Sequence, residues 1–292
     1  MASPSQWVAG ARPRTLPAAV APVVIGTAAA ATVDRANVGL ALLALFVAVG
    51  LQVGVNYAND YSDGIRGTDA ERVGPVRLVG QKIANPGNVK FAAFASFGFS
   101  ALMGLALAGL SGAWVMIPIG ALCVVAAWRY TGGDNPYGYR GLGEVFVFVF
   151  FGLVATLGTL YTQAHRITLV GLLGAVGVGA IASAILVANN LRDIPTDLVS
   201  GKKTLAVRLG DKGTRAFYLA LLVVSLACLG GIVVTHAWAL LALAAYGLMV
   251  NPVRVLVNGA TGRSLVPVLA STGIFELAYA VLLGAGVVIS QR

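Results

Sequence analysis

Charged residues are scarce in this chain, where only 11% of the 292 residues are Asp, Glu, Lys or Arg. A water-soluble domain of this size carries roughly a quarter, so the composition excludes one. Histidine and cysteine are nearly missing as well, with two of each. Cys123 and Cys228 both lie inside apolar runs, which argues against a disulfide framework. The lack of clustered His and Cys argues against a zinc site.

Apolar residues are abundant instead: they make up 58% of the chain, and its mean hydropathy is +0.85. Apolar runs recur near the ~20 residues that a helix needs to cross a bilayer. We predict an all-α polytopic membrane protein, with nine transmembrane helices in a bundle around a cavity open to the cytoplasmic side. The run after Arg14 imitates a signal peptide, but three nearby prolines and eight further spans favour a retained first helix. The predicted spans are 16–33, 38–58, 91–110, 112–128, 143–162, 168–189, 216–234, 237–253 and 266–289.

The cations predict the orientation. With a cytoplasmic N-terminus, 17 of the 20 Lys and Arg residues fall on the cytoplasmic side and only Arg35, Arg166 and Arg292 on the other. This asymmetry is the positive-inside pattern, and it favours an odd number of spans. We therefore expect an integral protein of a prokaryotic cell membrane. The net charge of +9 is expected to attract anionic lipid headgroups or a phosphorylated substrate rather than nucleic acid.

Two charge-dense cytoplasmic loops, 59–90 and 190–215, each open with amides and carboxylates at helical spacing. The stripes are Asn56, Asp60 and Asp63 (i, i+4, i+7) and Asn190, Asp193 and Asp197 (i, i+3, i+7). Each stripe shares one helix face if helicity continues, although Pro195 is expected to kink or end the second helix. Both follow an even-numbered span and so lie at the same membrane face. Solvated loops of mixed charge are the alternative reading, but it does not explain polar residues that begin inside the spans.

The residue types in these stripes indicate a metal. Hard oxygen ligands from Asp and Asn suit Mg²⁺, which binds through a few carboxylates plus substrate phosphate. Two such faces opposed across a cavity would hold two Mg²⁺ ions on a diphosphate. The cations near the stripes, which would reach the phosphate oxygens, are Arg72, Arg77, Lys202, Lys203 and Arg208.

At these residues the sequence resembles the UbiA-type intramembrane prenyltransferases, and within them the 1,4-dihydroxy-2-naphthoate polyprenyltransferases of menaquinone biosynthesis. The segments that carry the resemblance are "ARPRTLPAAVAPV" (11–23), "NDYSDGIRGTDAERVGPVRLV" (59–79), "YTGGDNPYGYRGLGEVFVFVFFG" (130–152), "GTLYTQ" (158–163) and "NNLRDIPTDLVSGKKTLAVRLG" (189–210). The resemblance implies one transmembrane domain over 1–292. It also implies Mg²⁺-dependent transfer of a polyprenyl group from its diphosphate to the naphthoate ring, with loss of CO₂ and diphosphate, which gives demethylmenaquinone.

The resemblance also implies roles for single residues. The metal ligands are expected to be Asn56, Asp60, Asp63, Asp69, Asn190, Asp193 and Asp197, and the catalytic set Asp60, Asp63, Asp193, Asp197 and Lys202. Substrate contacts are expected from Asn59, Arg72, Arg77, Tyr137, Tyr139, Arg140 and Lys203. One departure from the usual first motif concerns the third carboxylate, because Gly67 stands in its place and Asp69 follows two residues later.

The segment 130–144 is expected to face the acceptor. Tyr137, Tyr139 and Arg140 would bind the acidic, planar naphthoate, with Arg140 toward its carboxylate. The alternative is a Gly/Pro turn whose tyrosines anchor at the interface. Glu144 is expected either to orient Arg140 or to cap its helix, and Glu276 either to bond structurally or to line a lipid tunnel.

Three other functions remain open from the sequence. A CDP-alcohol phosphotransferase would share Asp60, Asp63 and Gly64, but Arg66-Gly67 breaks that signature. A secondary transporter with acidic ion sites would place carboxylates at mid-depth, where only Glu276 lies. A UbiA-type enzyme with another aromatic acceptor, such as 4-hydroxybenzoate, is the third. Prenyl chain length and oligomeric state stay undetermined.

Overall fold

The computed structural model describes residues 2–67 and 76–291, and every regular element within them is helical. Seven helices are long and apolar enough to cross a membrane, and the pair Pro4–Thr15 and Pro17–Ala31, bent by 48°, makes an eighth candidate. The helices are α1 (Pro4–Ala11), α2 (Pro17–Ala31), α3 (Val38–Ile65), α4 (Pro86–Ser111), α5 (Met116–Arg129), α6 (Gly143–Val147), α7 (Ala155–Ala164), α8 (Leu169–Val199), α9 (Leu205–Val233), α10 (Val250–Val257) and α11 (Val266–Ile289). The protein is thus an all-α integral membrane protein, as predicted.

Polar caps fix where several of the long helices begin. The side chains of Asn37, Thr168 and Thr204 accept hydrogen bonds from backbone N–H groups in the first turns of α3, α8 and α9. These bonds satisfy donors that have no partner inside the helix. At the C-terminal end of α4, the cap residue Gly112 has a φ of +74°, a conformation that glycine adopts without strain. Local sequence therefore sets these helix ends.

Both polar stripes are helical, which corrects the predicted loops 59–90 and 190–215. Helix α3 runs on to Ile65, and α8 continues through Pro195 to Val199. The connections are shorter than predicted, because α4 already begins at Pro86 and α9 begins at Leu205. Near its start α9 is kinked at Gly210, whose φ of +68° and ψ of 179° are not helical. The stripes extend the helices because their side chains find partners within the protein.

Three predicted spans deviate from a regular long α-helix. The fourth contains only the 14 residues of α5. The eighth is a 3₁₀ helix, Ala237–Met249, which leads into α10. At ~2.0 Å per residue a 3₁₀ helix reaches further than an α-helix of equal length. The fifth span is continuous from α6 to α7 through a π-helical segment, Phe148–Val154.

Small residues bring the helices close together. A Cβ on Gly152 would lie 2.6 Å from the Cα of Gly179, so the fifth span and α8 pack backbone against backbone there. Such contact is common between membrane helices, where dispersion and not water drives association. The main core joins α2, α8, α9 and α11. The site residues lie where α3 and α8 extend past this core.

Candidate active site at the ends of two long helices

Asp60 binds the turn that follows the first motif. Its Oδ2 accepts the backbone N–H of Leu78 at 2.7 Å and its Oδ1 that of Val79 at 3.1 Å. The side chain is fully buried, and both bonds join a carboxylate to main chain. Asp60 thus holds the 76–84 turn onto α3, a role that its prediction as a metal ligand did not include. Each carboxylate oxygen keeps a second lone pair, so a metal contact remains compatible with these bonds.

One turn earlier on α3, amides hold the N-terminal segment. Asn56 donates through Nδ2 to the carbonyl of Ala11 and to Oγ1 of Thr15, both at 2.9 Å. Gln52 donates to the same Thr15 hydroxyl at 2.8 Å. These bonds pin the turn between α1 and α2 against α3. Asn56, predicted in the metal set, is therefore also a structural residue.

The two motifs meet at Asp63. Lys202, which follows α8, places its Nζ 3.5 Å from Asp63 Oδ1. The hydroxyl of Tyr139 donates to the same oxygen, and the Lys202 ammonium lies over the Tyr139 ring, 4.4 Å from its centroid. Asp63 and Lys202 are both buried. One residue from each predicted cluster and one from the acceptor segment thus form a single contact group.

The carboxylates of the second motif are also bound. Asp193 pairs with its neighbour Arg192 through both oxygens at 2.7 Å. Asp197 Oδ2 accepts from the Thr204 hydroxyl at 3.3 Å, which ties the end of α8 to the start of α9. All of these carboxylates are at least nine-tenths buried. They form a polar layer at the end of α8, as the spacing predicted.

Glu144 joins the fifth span to the second motif. Its Oε1 accepts from Asn190 Nδ2 at 2.8 Å, while its Oε2 is buried and has no hydrogen-bond partner among the described residues. Glu144 thus binds Asn190 rather than the expected Arg140, and its position in the first turn of α6 agrees with the alternative expectation of a carboxylate at the helix start. The bond to Asn190 fixes the orientation of that amide.

The tyrosines of the 130–142 loop, which connects α5 to α6, have different roles: one fastens the loop and another contacts the motifs. Tyr137 donates its hydroxyl to the carbonyl of Ala126 at 2.9 Å and stacks on Phe146, with the ring centroids 3.9 Å apart. Burial raises the pKa of the Tyr137 phenol. Tyr137 thus fastens the loop to α5, while Tyr139 reaches the motifs. Arg140 is exposed, and its carbonyl accepts from Arg208 at 2.8 Å.

The remaining predicted residues occupy different surroundings. Asp69 and Arg72 lie outside the described residues. Arg77 is buried and Lys203 is exposed. A cavity of about 370 Å³ opens beside Lys202, and its lining consists of Leu198, Gly201, Lys202, Lys203, Val207 and Arg208. The basic side of the predicted site is therefore accessible at this point.

Two residues near the motifs were missed by the sequence reasoning. Thr131 donates to Asn59 Oδ1 at 2.7 Å, and Arg66 binds two carbonyls of the 130–142 loop. Only Arg66 carried a signal, because it continues the first stripe at i+3 from Asp63. No group of three or more His, Cys, Asp or Glu residues close enough to hold a metal occurs in the part of the chain that the structure describes.

Known proteins are similar to this chain in sequence and in fold. Residues 19–265 match the UbiA prenyltransferase family. A Mycobacterium tuberculosis protein named 1,4-dihydroxy-2-naphthoate octaprenyltransferase is 54% identical over 291 residues, which is 100% of this chain and 99% of that protein. A UbiA homolog from Aeropyrum pernix K1 in its apo form superposes with a TM-score of 0.71 at 16% identity, over 95% of this chain and 98% of that one. A UbiA homolog from Archaeoglobus fulgidus bound to DMAPP and Mg²⁺ gives 0.64 at 13% identity, over 97% and 99%.

Proposed function

The chain belongs to the UbiA prenyltransferase family, and from that membership we propose that it prenylates 1,4-dihydroxy-2-naphthoate in menaquinone biosynthesis. The polyprenyl group comes from polyprenyl diphosphate, and CO₂ and diphosphate are released. The acceptor assignment rests on the relative from Mycobacterium tuberculosis, which is 54% identical over the whole chain and is named for that acceptor.

The observation that carries this proposal is the contact group at Asp63. Lys202 and Tyr139 converge on one Asp63 oxygen from elements that are far apart in sequence. A cation, a carboxylate that can hold a metal ion and an aromatic face would each assist the departure of an allylic diphosphate. The ammonium offsets charge on the leaving phosphate, and the ring face stabilises a cation.

The donor set at the two helix ends fits Mg²⁺. The site offers carboxylate and amide oxygens, which are hard ligands, and Mg²⁺ needs only one or two carboxylates when substrate phosphate supplies the rest. The ammonium of Lys202 beside Asp63 supports this proposal, because the carboxylate already pairs with a positive charge. Asp63, Asp193 and Asp197 would hold the metal, with Asn56, Asp60 and Asn190 in support and with two ions as the proposed number. When bound, Mg²⁺ would neutralise charge on the diphosphate.

The chain's own residues account for the rest of the chemistry. Lys202 and Lys203 bind the diphosphate, together with Arg72 and Arg77 from the loop after the first motif. Tyr139 presents its ring beside Lys202 and Asp63 and shields the allyl cation from water. Asn59 and Arg140 are proposed to contact substrates, and Tyr137 to support the acceptor by holding the 130–142 loop.

We further propose that all nine predicted spans cross the membrane. Helices α3 and α4 run antiparallel, because Gly54 packs on Phe97 and Gly50 on Ser100. The carboxyl ends of α4 and α7 meet where His165 Nε2 lies 2.7 Å from the Ser111 carbonyl. The C-terminal end of α4 therefore lies at the N-terminal end of α3, whereas the 130–142 loop contacts the C-terminal end of α3. The short α5, which connects α4 to this loop, thus covers the whole distance between the two ends of α3.

The eighth span is supported by the same kind of argument. Tyr218 bonds Thr272 at 2.7 Å, and Tyr279 bonds the carbonyl of Ser225 at 3.4 Å. A step of seven residues along α9, from Tyr218 to Ser225, is matched by a step of seven residues in the same direction along α11, from Thr272 to Tyr279. The two helices therefore run in the same direction. The 3₁₀ helix and α10, which connect them, therefore run back across the bundle.

The positive-inside pattern supports a cytoplasmic location for the N-terminus and both motifs. We propose a single transmembrane domain over 1–292 in a prokaryotic cell membrane, with the cavity open to the cytoplasmic side. Cysteines introduced singly at Ser200 and Gln291, in a chain with Cys123 and Cys228 changed to serine, test this arrangement. An impermeant thiol reagent should label position 200 from the cytoplasm and position 291 from outside. Labelling of both from one side would overturn the topology.

Turnover by purified protein in detergent tests the reaction. We expect a lipophilic product and CO₂ from 1,4-dihydroxy-2-naphthoate and a radiolabelled polyprenyl diphosphate, with both lost in EDTA. Asp63→Asn and Asp193→Asn should abolish product. Asp34→Asn, an exposed carboxylate away from both motifs, serves as the control and should retain it. Prenylation of only 4-hydroxybenzoate or another aromatic acceptor would refute the naphthoate assignment, and no transfer by folded protein would refute the prenyltransferase proposal.

A further inference from the structure

We propose that Arg66 is a positioning residue that holds the 130–142 loop in the shape that receives the aromatic acceptor. The inference rests on the proposed function for the identity of that acceptor. It concerns a residue that follows the first motif and does not belong to the predicted metal or substrate set. Arg66 is exposed and is the C-terminal cap residue of α3.

The guanidinium of Arg66 binds the loop at three points. Its two terminal nitrogens donate to the carbonyls of Thr131 and Gly133. Its central carbon also lies 5.5 Å from the centroid of the Tyr139 ring. Gly133 has a φ of +78°, a conformation that glycine adopts without strain. One side chain thus joins both halves of the loop.

Arg66 extends a face of α3 that already contacts this loop. Asn59 accepts from the Thr131 hydroxyl, and Asp63 accepts from the Tyr139 hydroxyl. Asn59, Asp63 and Arg66 are spaced i, i+4 and i+7 and lie within roughly 60° of one another around the helix, at ~100° per residue. The end of α3 therefore presents a continuous docking face to the loop, with Arg66 as its last member.

The opposite side of the loop is held by the second motif. The backbone N–H of Lys203 donates to the Tyr139 carbonyl at 2.9 Å, and Arg208 donates to the Arg140 carbonyl at 2.8 Å. Tyr139 is consequently held on its ring, its hydroxyl and its carbonyl by residues of both motifs. Arg66 contributes the ring contact from the first motif and anchors the start of the loop.

Arginine suits this role for a geometric reason. Its planar fork donates to two carbonyls at once and still lies against an aromatic ring, whereas lysine is a point charge. Arg66→Lys should therefore keep part of the interaction and Arg66→Ala none. Because the contacts go to the loop rather than to phosphate, the effect should fall on the aromatic acceptor and not on the polyprenyl diphosphate.

The test compares Arg66→Ala and Arg66→Lys with a matched control, Lys90→Ala. Lys90 makes the same kind of contact with the same helix, since its Nζ lies 5.6 Å from the centroid of the Tyr61 ring, but away from the loop. We expect Arg66→Ala to raise the KM for the acceptor about tenfold, with the KM for polyprenyl diphosphate changed less than about twofold. Arg66→Lys should fall between, and Lys90→Ala should match the wild type.

Hydrogen exchange of the full-length protein gives a second readout that needs no turnover. Arg66→Ala should accelerate amide exchange in peptides covering 131–140 and leave those of α8 unchanged. If the wild type prenylates no naphthoate, the proposed function fails while the exchange result still decides the role of Arg66. Equal loss for both substrates, or unchanged exchange in 131–140, would overturn the proposal.

Discussion

Asp60, which is proposed to support the metal site, also holds the 76–84 turn against α3. Its oxygens accept the backbone N–H groups of Leu78 and Val79 at 2.7 and 3.1 Å in a fully buried setting. In Asp60→Asn one acceptor oxygen becomes an NH₂ group that points at a backbone N–H. The variant therefore loses a bond to a charged acceptor and leaves a buried donor unsatisfied.

The loss amounts to about 3 kcal/mol, since a hydrogen bond to a charged group contributes roughly 1.5–3 kcal/mol and an orphaned buried donor costs roughly 1–3 kcal/mol. In a chain of this length that corresponds to a fall of roughly 6 °C in the unfolding midpoint. Asp34→Asn is the comparison variant. Asp34 is an exposed carboxylate away from both motifs, so a change of less than about 0.5 kcal/mol is expected there.

The assay is thermal unfolding in detergent with EDTA, at one scan rate because such unfolding is commonly irreversible. EDTA removes any contribution from a bound metal, so that only contacts within the chain remain. Asp60→Asn should lose turnover and show the large fall in midpoint, whereas Asp34→Asn should retain both turnover and midpoint. An Asp60→Asn protein as stable as the wild type in EDTA would refute the reasoning, and Asp60 would then act through the metal alone.

Four further outcomes follow from the same structure. Glu276 is fully buried with both oxygens lacking a hydrogen-bond partner among the described residues, so Glu276→Met should raise the thermal midpoint by the equivalent of about 2 kcal/mol, whereas Glu276→Gln should not. Gly152→Ala should lower the midpoint by the equivalent of about 1–3 kcal/mol, because its Cβ would lie 2.6 Å from Gly179. Gly98→Ala, where nothing lies within 4 Å, should be neutral or slightly stabilising by circular dichroism melts. The raised pKa of buried Tyr137 means that its folded phenol stays neutral while the unfolded one ionises, so stability should fall as the pH rises past about 10 and Tyr137→Phe should weaken that fall.

The helical organisation was readable from the sequence because apolar length is a direct signal. Each predicted span coincides with a helical segment, and the two stripes lie on α3 and α8 as their spacing required. The error lay at the membrane edge, where 59–65 and 190–199 were assigned to loops. Polar side chains there are satisfied by other parts of the protein, and a hydropathy pattern contains no information about such partners.

The site was readable only as a set of residue types. Spacing indicated that Asp60 and Asp63 share a face, but it did not indicate that one binds main chain and the other meets Lys202. That division depends on where the 76–84 turn and the 130–142 loop pack, which involves separations of 18 to 139 residues. The partner of Glu144 was not predicted for the same reason, because Asn190 lies 46 positions away.

The neighbourhood of α2 and α11 bears on how the protein is assembled. These helices pack side by side in the same direction, with Gly273 beside the Arg14 carbonyl and Gly284 beside Val24 and Ala28. The face of α2 that packs against α11 can therefore be covered only after α11 has left the ribosome. During that interval the small residues of α2 contact lipid or an insertion factor. The face of α2 that packs on α11 is thus covered only after α11 has been synthesised, so ribosome-bound chains that stop before residue 266 should crosslink from α2 to such a factor, whereas chains that include α11 should not.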